Sequence, residues 1–240
     1  MNERPDDYLT NELSESPGGS RIFRHEDSDR DGLIAPADSC KYMDEVCAHF
    51  DSLFPQRETR VLHEIVSDIV HIDVHVMFPL SDDDFFVIYT TGMSDLPMVV
   101  PKELDNPDDW KHSELFMYLP ASWNPEGEFT RENFWHVELV KFLARMPHMY
   151  NTWLADGHTI PNGPNYEPFL GGSQLSSAII LGLLEPLFAA DGTRISMNMV
   201  VPLTRAETEH KLEYGTDALL KLFDEHDVPL VVDENRRSVV

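Results

Sequence analysis

Residues 70–78 read Val-His-Ile-Asp-Val-His-Val-Met-Phe, and their alternation decides the fold class. Val70, Ile72, Val74, Val76 and Phe78 fall on one set of positions, and His71, Asp73, His75 and Met77 on the other. A strict period of two places the two sets on opposite faces of a strand. Working outward, residues 85–91 and 115–119 are further strand-like runs, and Asp82, Asp83 and Asp84 supply a turn before the first of them. Residues 176–188 and 194–203 read as a strand pair around the Ala-Asp-Gly-Thr turn at 190–193.

Helical periods lie between and after these strands. In residues 37–54, Tyr42, Met43, Val46, Cys47, Phe50 and Leu53 recur at threes and fours, with Asp38 or Ser39 as the cap. In residues 130–149, Trp135, Leu139, Phe142 and Met146 make one apolar stripe. Thr130 with Asn133 is a cap pair there, and Pro147 is expected to end or kink the helix. Residues 204–214 and 216–226 read as two helices separated by Gly215. Helices interspersed with hairpin-like strands point to an α+β fold with a mixed, largely antiparallel sheet and packed helices. Residues 1–20 are acidic and aperiodic, which predicts a mobile arm ahead of one folded domain at 21–240.

Acidic residues number 43 and basic ones 18, a formal net charge of −25. Such a surface repels phosphate backbones, so no nucleic-acid partner is expected; solubility alone accounts for it, and steering of a basic partner is the sharper reading. No apolar run approaches the ~20 residues of a membrane helix, and the polar N-terminus resembles no targeting signal, so the expected location is the cytoplasm. Cys40 and Cys47 sit seven apart on a helix, about 10 Å by helical rise. That is too far for a disulfide, and reduced thiols are expected.

Candidate chemistry is scattered. Asp27, Asp29, Asp31 and Asp38, with Gly32, follow the calcium-loop spacing, but Pro36 and the lack of an entering helix favour an acidic surface turn. His71, Asp73 and His75 share a strand face and could hold zinc or iron for a hydrolase, although a polar face bonded to its neighbours is the commoner outcome. His63-Glu64 lacks the second histidine of a zinc-protease motif, and Gly92-Met93-Ser94-Asp95 is not a nucleophile elbow. Residues 142–163 concentrate His148, Tyr150, Asn151, Trp153, Asp156, His158 and Asn162. Such a loop serves structure first, recognition second and acid–base chemistry third. No cofactor is expected.

Four segments carry a resemblance: HEIVSDIVHIDVHVMFP (63–79), YTTGMSDLPMVVP (89–101), SELFMYLPASW (113–123) and NFWHVELVKFLARMPHMYNTWLADGHTIPNG (133–163), with continuation through 201–226 and the VDENRRSVV tail. Together they make the chain, over about residues 17–240, similar to the suppressor-of-fused (SUFU) domain family in its bacterial branch. The resemblance implies a SUFU-like α+β fold, no enzymatic activity and a cytosolic protein-binding role. Animal members are regulators that clamp a transcription-factor peptide; bacterial members are proposed to be immunity proteins that neutralise toxins. The expected partner is therefore a protein, such as a basic toxin domain. The interaction residues chosen on this reading are Asp95, Tyr150, Trp153, Asp156 and His158.

Overall fold

The computed structural model describes residues 14–23, 40–65, 67 and 69–240. The calcium-like positions Asp27, Asp29, Asp31 and Asp38, and the proposed cap Ser39, lie outside the described residues. A two-stranded hairpin, β1 (Ser14–Glu15) with β2 (Arg21–Ile22), comes first. Residues 14–20, assigned from sequence to the mobile arm, form most of this hairpin, and the Gly18 N–H donates to the Leu212 carbonyl at 2.8 Å.

The body is an eight-stranded sheet. Its strands are β3 (Thr59–Leu62), β4 (Asp73–Met77), β5 (Phe85–Thr91), β6 (Ser113–Pro120), β7 (Thr159–Pro161), β8 (Leu175–Leu181), β9 (Leu187–Phe188) and β10 (Arg194–Thr204). The order is β3-β4-β5-β6-β10-β8-β7, with β9 paired to β10. Among the paired strands of the described residues only β6 and β10 run parallel, so the sheet is mixed and largely antiparallel, as expected from the sequence.

Helices cover both faces. The apolar set Val70, Ile72, Val74 and Val76 packs under α2 (Arg131–Tyr150) through Phe134, Val140 and Leu143. On the other face Met77, Tyr89 and Phe116 pack against Val46 and Phe50 of α1 (Met43–Leu53) and Leu219 and Phe223 of α4 (Thr216–Glu225). Between α4 and β10, α3 (Arg205–Tyr214) opens with a capping box in which Thr204 and Glu207 satisfy each other's backbone N–H groups.

Three local expectations change. The second helix runs to Tyr150, one turn past Pro147, because so near the C-terminus the proline forfeits a single ladder bond. The Thr130 side chain makes no capping bond; the Asn133 side chain instead donates to the Asn124 carbonyl at 2.7 Å. Phe142 is 46% exposed and leaves the apolar stripe, its place toward the sheet taken by Leu143.

Candidate functional site

Several buried polar groups meet at the Gly92–Asp95 turn. Gly92 leaves β5 at φ +105°, and a Cβ there would lie 1.8 Å from the His71 carbonyl oxygen. Only glycine permits that approach of two backbones. Below the turn, Glu114 of β6 is fully buried. Its Oε1 accepts from the Gly92 N–H (3.0 Å), the Ser94 N–H (2.9 Å) and the Ser94 hydroxyl (2.6 Å), and its Oε2 lies 2.7 Å from the Thr90 hydroxyl. Burial pushes the Glu114 carboxyl up to about 7, against the lowering pull of the Ser94 and Thr90 bonds. Imidazoles fix the turn's carbonyls: His112 Nδ1 is 2.7 Å from Ser94 O, and His148 Nε2 is 3.0 Å from Met93 O. Ser94 has no solvent exposure and is no nucleophile.

Above the turn, Asp95 acts as a remote cap. Its carboxylate accepts the Cys40 N–H at 2.6 Å and the Tyr42 N–H at 3.4 Å, just before α1. Burial raises its pKa while those N–H groups oppose the rise. Cys40 sits at φ +70°, a strained conformation for a residue with a Cβ, held by this bond.

Asp95 thus brings Cys40 to His71 and Asp73. The strand alternation does place Asp73 and His75 on the α1 face, but the three predicted ligands do not converge. Positions two apart on a strand are roughly 6.5–7 Å apart. The His75 ring stacks on Tyr89 at 4.7 Å, its Nε2 lies 2.9 Å from the Thr91 hydroxyl, and its Nδ1 is 3.7 Å from Cys47 Sγ. Burial lowers the His75 pKa to about 4, keeping it neutral. Cys40 takes its place: one ligand atom each from Cys40, His71 and Asp73 lies within 4.8 Å of the others.

Asp73 is 2% exposed and well supported. His71 Nε2 stands 3.0 Å from Oδ1, His63 Nδ1 2.8 Å from Oδ2, and the Glu64 N–H donates to Oδ1 at 2.8 Å. Burial works against the Asp73 carboxylate, yet these groups outweigh it and hold its pKa below the ordinary value. His71 Nδ1 lies 2.7 Å from Ser67 Oγ, whose hydroxyl donates to Glu64 Oε2 at 3.1 Å. Glu64 is in turn paired with Arg145 and, at 3.2 Å, with Lys141. Sequence reasoning missed Cys40, Ser67 and Glu64 in this cluster, because nothing local marks residues brought together from three separate segments.

The 142–163 segment is stitched along the sheet. Asn151 ends α2 in the left-handed region, at φ +50°. The Gly157 N–H donates to the Ile180 carbonyl, and Asp156 Oδ1 accepts the Gly182 N–H, both at 2.8 Å. Trp153 is buried at 6% exposure between the edges of Phe23 and His158. Burial lowers the His158 pKa to about 4, with Lys211 pushing the same way. Tyr150 is half-buried against the α2-side core, and Asn162 donates to the Glu167 carbonyl at 2.7 Å. Of the five residues singled out for interaction, Asp156 alone is exposed. Nearby, Glu138, Lys141, Phe142, Arg145 and Met149 line a hollow of about 260 Å³ on the outer side of α2.

These features define an α+β domain with a mixed eight-stranded sheet, helices on both faces and a polar junction at one strand end. The chain belongs to the suppressor-of-fused family: the family profile described as Suppressor of fused protein (SUFU) matches residues 68–237. The fold is shared with a putative SUFU homolog from Neisseria gonorrhoeae, at TM-score 0.63 and 17% identity over 83% of this chain and 97% of that one. It is also shared with a chain of the Sufu–Fu complex, at TM-score 0.59 and 13% identity over 82% and 91%. Drosophila Suppressor of Fused matches at TM-score 0.58 and 14% identity, over 81% of this chain and 50% of its own. No curated protein matches the sequence. Members of the family are regulatory protein-binding proteins. No helix among the described residues is long and apolar enough to cross a membrane.

Proposed function

We propose that this chain is a non-enzymatic binding domain that captures a basic protein partner, in the manner of an immunity protein neutralising a toxin. The observation that carries the reading is the net charge of −25. Many of the few cations are already consumed within the fold: Arg57 by Asp84, Arg60 by Glu58 and Glu126, Arg145 by Glu64 and Arg236 by Glu207. Among the described residues, carboxylates such as Asp82, Asp83, Glu103, Asp105 and Asp156 stand exposed, and a field of one sign speeds encounter with a partner of the other. A relative crystallised as the Sufu–Fu complex supports protein binding as the mode of action. The contact surface in this reading lies at the end of α2, where Asp156 is exposed and Tyr150 half-buried, while Asp95, Trp153 and His158 hold the backbone in shape.

Co-expression tests it directly. Cells making a toxin encoded beside this gene are expected to survive when the chain is present, and the two proteins to co-purify. Protection from no neighbouring toxin, together with no co-purifying product, contradicts the reading.

A further inference from the structure

We propose that Cys40, His71 and Asp73 form a zinc site joining the start of α1 to the start of β4. Their donor atoms lie within 4.8 Å of one another, although Cys40 is separated from the other two by a whole helix and a strand. Zn–S bonds of about 2.3 Å and Zn–N or Zn–O bonds of about 2.0–2.2 Å put tetrahedral ligand atoms roughly 3.3–3.7 Å apart. A closure of about 1 Å by side-chain rotation meets that geometry. Thiolate, imidazole and carboxylate together suit a borderline-soft ion, and the two negative charges balance Zn²⁺. The thiol proton leaves to solvent on binding.

A second observation comes from the hydrogen bonds behind the cluster. Ser67 Oγ lies 2.7 Å from His71 Nδ1 and 3.1 Å from Glu64 Oε2. His71 Nε2 faces Asp73 Oδ1 at 3.0 Å, so Ser67 holds the ring by one nitrogen while the other points into the cluster. Metal-bound histidines are held by this kind of partner on the far ring nitrogen. Glu64, clamped by Arg145 and Lys141 and by the Ile72 N–H at 3.1 Å, holds Ser67 in place behind the ring. His63, exposed and 2.8 Å from Asp73 Oδ2, orients the carboxylate from outside.

The test is titration of the full chain, made without a histidine tag and stripped with chelator, using Zn²⁺ and then Co²⁺ alone. One equivalent of Zn²⁺ is expected to bind and to raise the Tm. Co²⁺ should give visible bands of a tetrahedral ion and a near-ultraviolet thiolate charge-transfer band. Cys40→Ser should abolish the charge-transfer band and His71→Ala the tight equivalent, while Ser67→Ala, which touches no ion, weakens binding by about 10–100-fold. Cys40 is half-buried, so Cys40→Ser keeps the fold, and circular dichroism checks each variant. No zinc bound, or binding of unchanged affinity in both Cys40→Ser and His71→Ala, overturns the proposal. Unchanged binding in those variants would assign the metal to other histidines among the 11 in the chain.

Discussion

The two faces of the central sheet are both covered by helices, yet they are built from different chemistry. Under α2 the strands present Val70, Ile72, Val74 and Val76, and the packing is almost entirely hydrocarbon. Under α1 the same strand presents Asp73 and His75 beside Met77, and both polar side chains are matched to neighbours. An apolar face needs only volume and shape, so many sequences satisfy it. A buried polar face needs partners in fixed places, because an unpaired group there costs about 1–3 kcal/mol. The α1 face is therefore specified residue by residue, and the Gly92–Asp95 turn is where that specification concentrates.

The most severe way to break this arrangement is Gly92→Ala. The new Cβ meets the His71 carbonyl at 1.8 Å on a backbone at φ +105°. A loss of about 4 kcal/mol or more is expected, read as failure to fold or a collapse of the denaturation midpoint. Next comes the apolar face: Leu143→Ala removes a side chain with no exposure and is expected to cost about 2–5 kcal/mol in urea unfolding. His75→Phe should cost less, about 1 kcal/mol at neutral pH, because the stack on Tyr89 survives and what is lost is the Thr91 bond and the long Cys47 contact.

The same histidine sharpens the comparison when pH is varied. Burial depresses His75 and His158 to about 4 and His136 to about 3, from an ordinary value of 6.5. A histidine held low binds fewer protons folded than unfolded. The stability it permits is complete above pH 6.5 and is lost as pH falls toward 4. Glu114 opposes this: raised to about 7, it keeps its proton in the fold while the unfolded carboxyl ionises above 4.5, so its contribution declines as pH rises through that window. Urea midpoints measured from pH 7 to 4.5 are expected to fall, less steeply in His75→Phe and more steeply in Glu114→Gln. At pH 6 Glu114→Gln is expected to change stability by less than about 1 kcal/mol, since the amide oxygen keeps the bonds from Gly92 and Ser94 and the Thr90 hydroxyl can turn to the Leu115 carbonyl at 3.4 Å.

The difference between the faces also explains what was legible in the sequence. Alternation at 70–78, the run at 85–91 and the stripe of α2 gave strands, helix and fold class, because apolar periodicity reports directly on burial. The short strands Thr59–Leu62 and Thr159–Pro161 escaped notice, being too brief to show a period. The polar face was legible as a face but not as a set of contacts. His71-Asp73-His75 looked like a ligand triplet, while the atom that completes the cluster belongs to Cys40, placed by Asp95 from 55 residues away. Likewise the 142–163 segment was recognisable by its wording, but that Trp153 turns inward and Asp156 outward depends on how the loop is laid along β8.

The central claim is that this domain works by holding a basic protein. The direct measurement is the association rate of the purified chain with any basic domain encoded beside its gene that the co-expression test identifies, followed as ionic strength rises. Saturable binding whose on-rate falls steeply with salt, and falls again in Asp156→Lys, is the predicted result. No binding to the neighbouring product, or an on-rate indifferent to salt, would contradict the account.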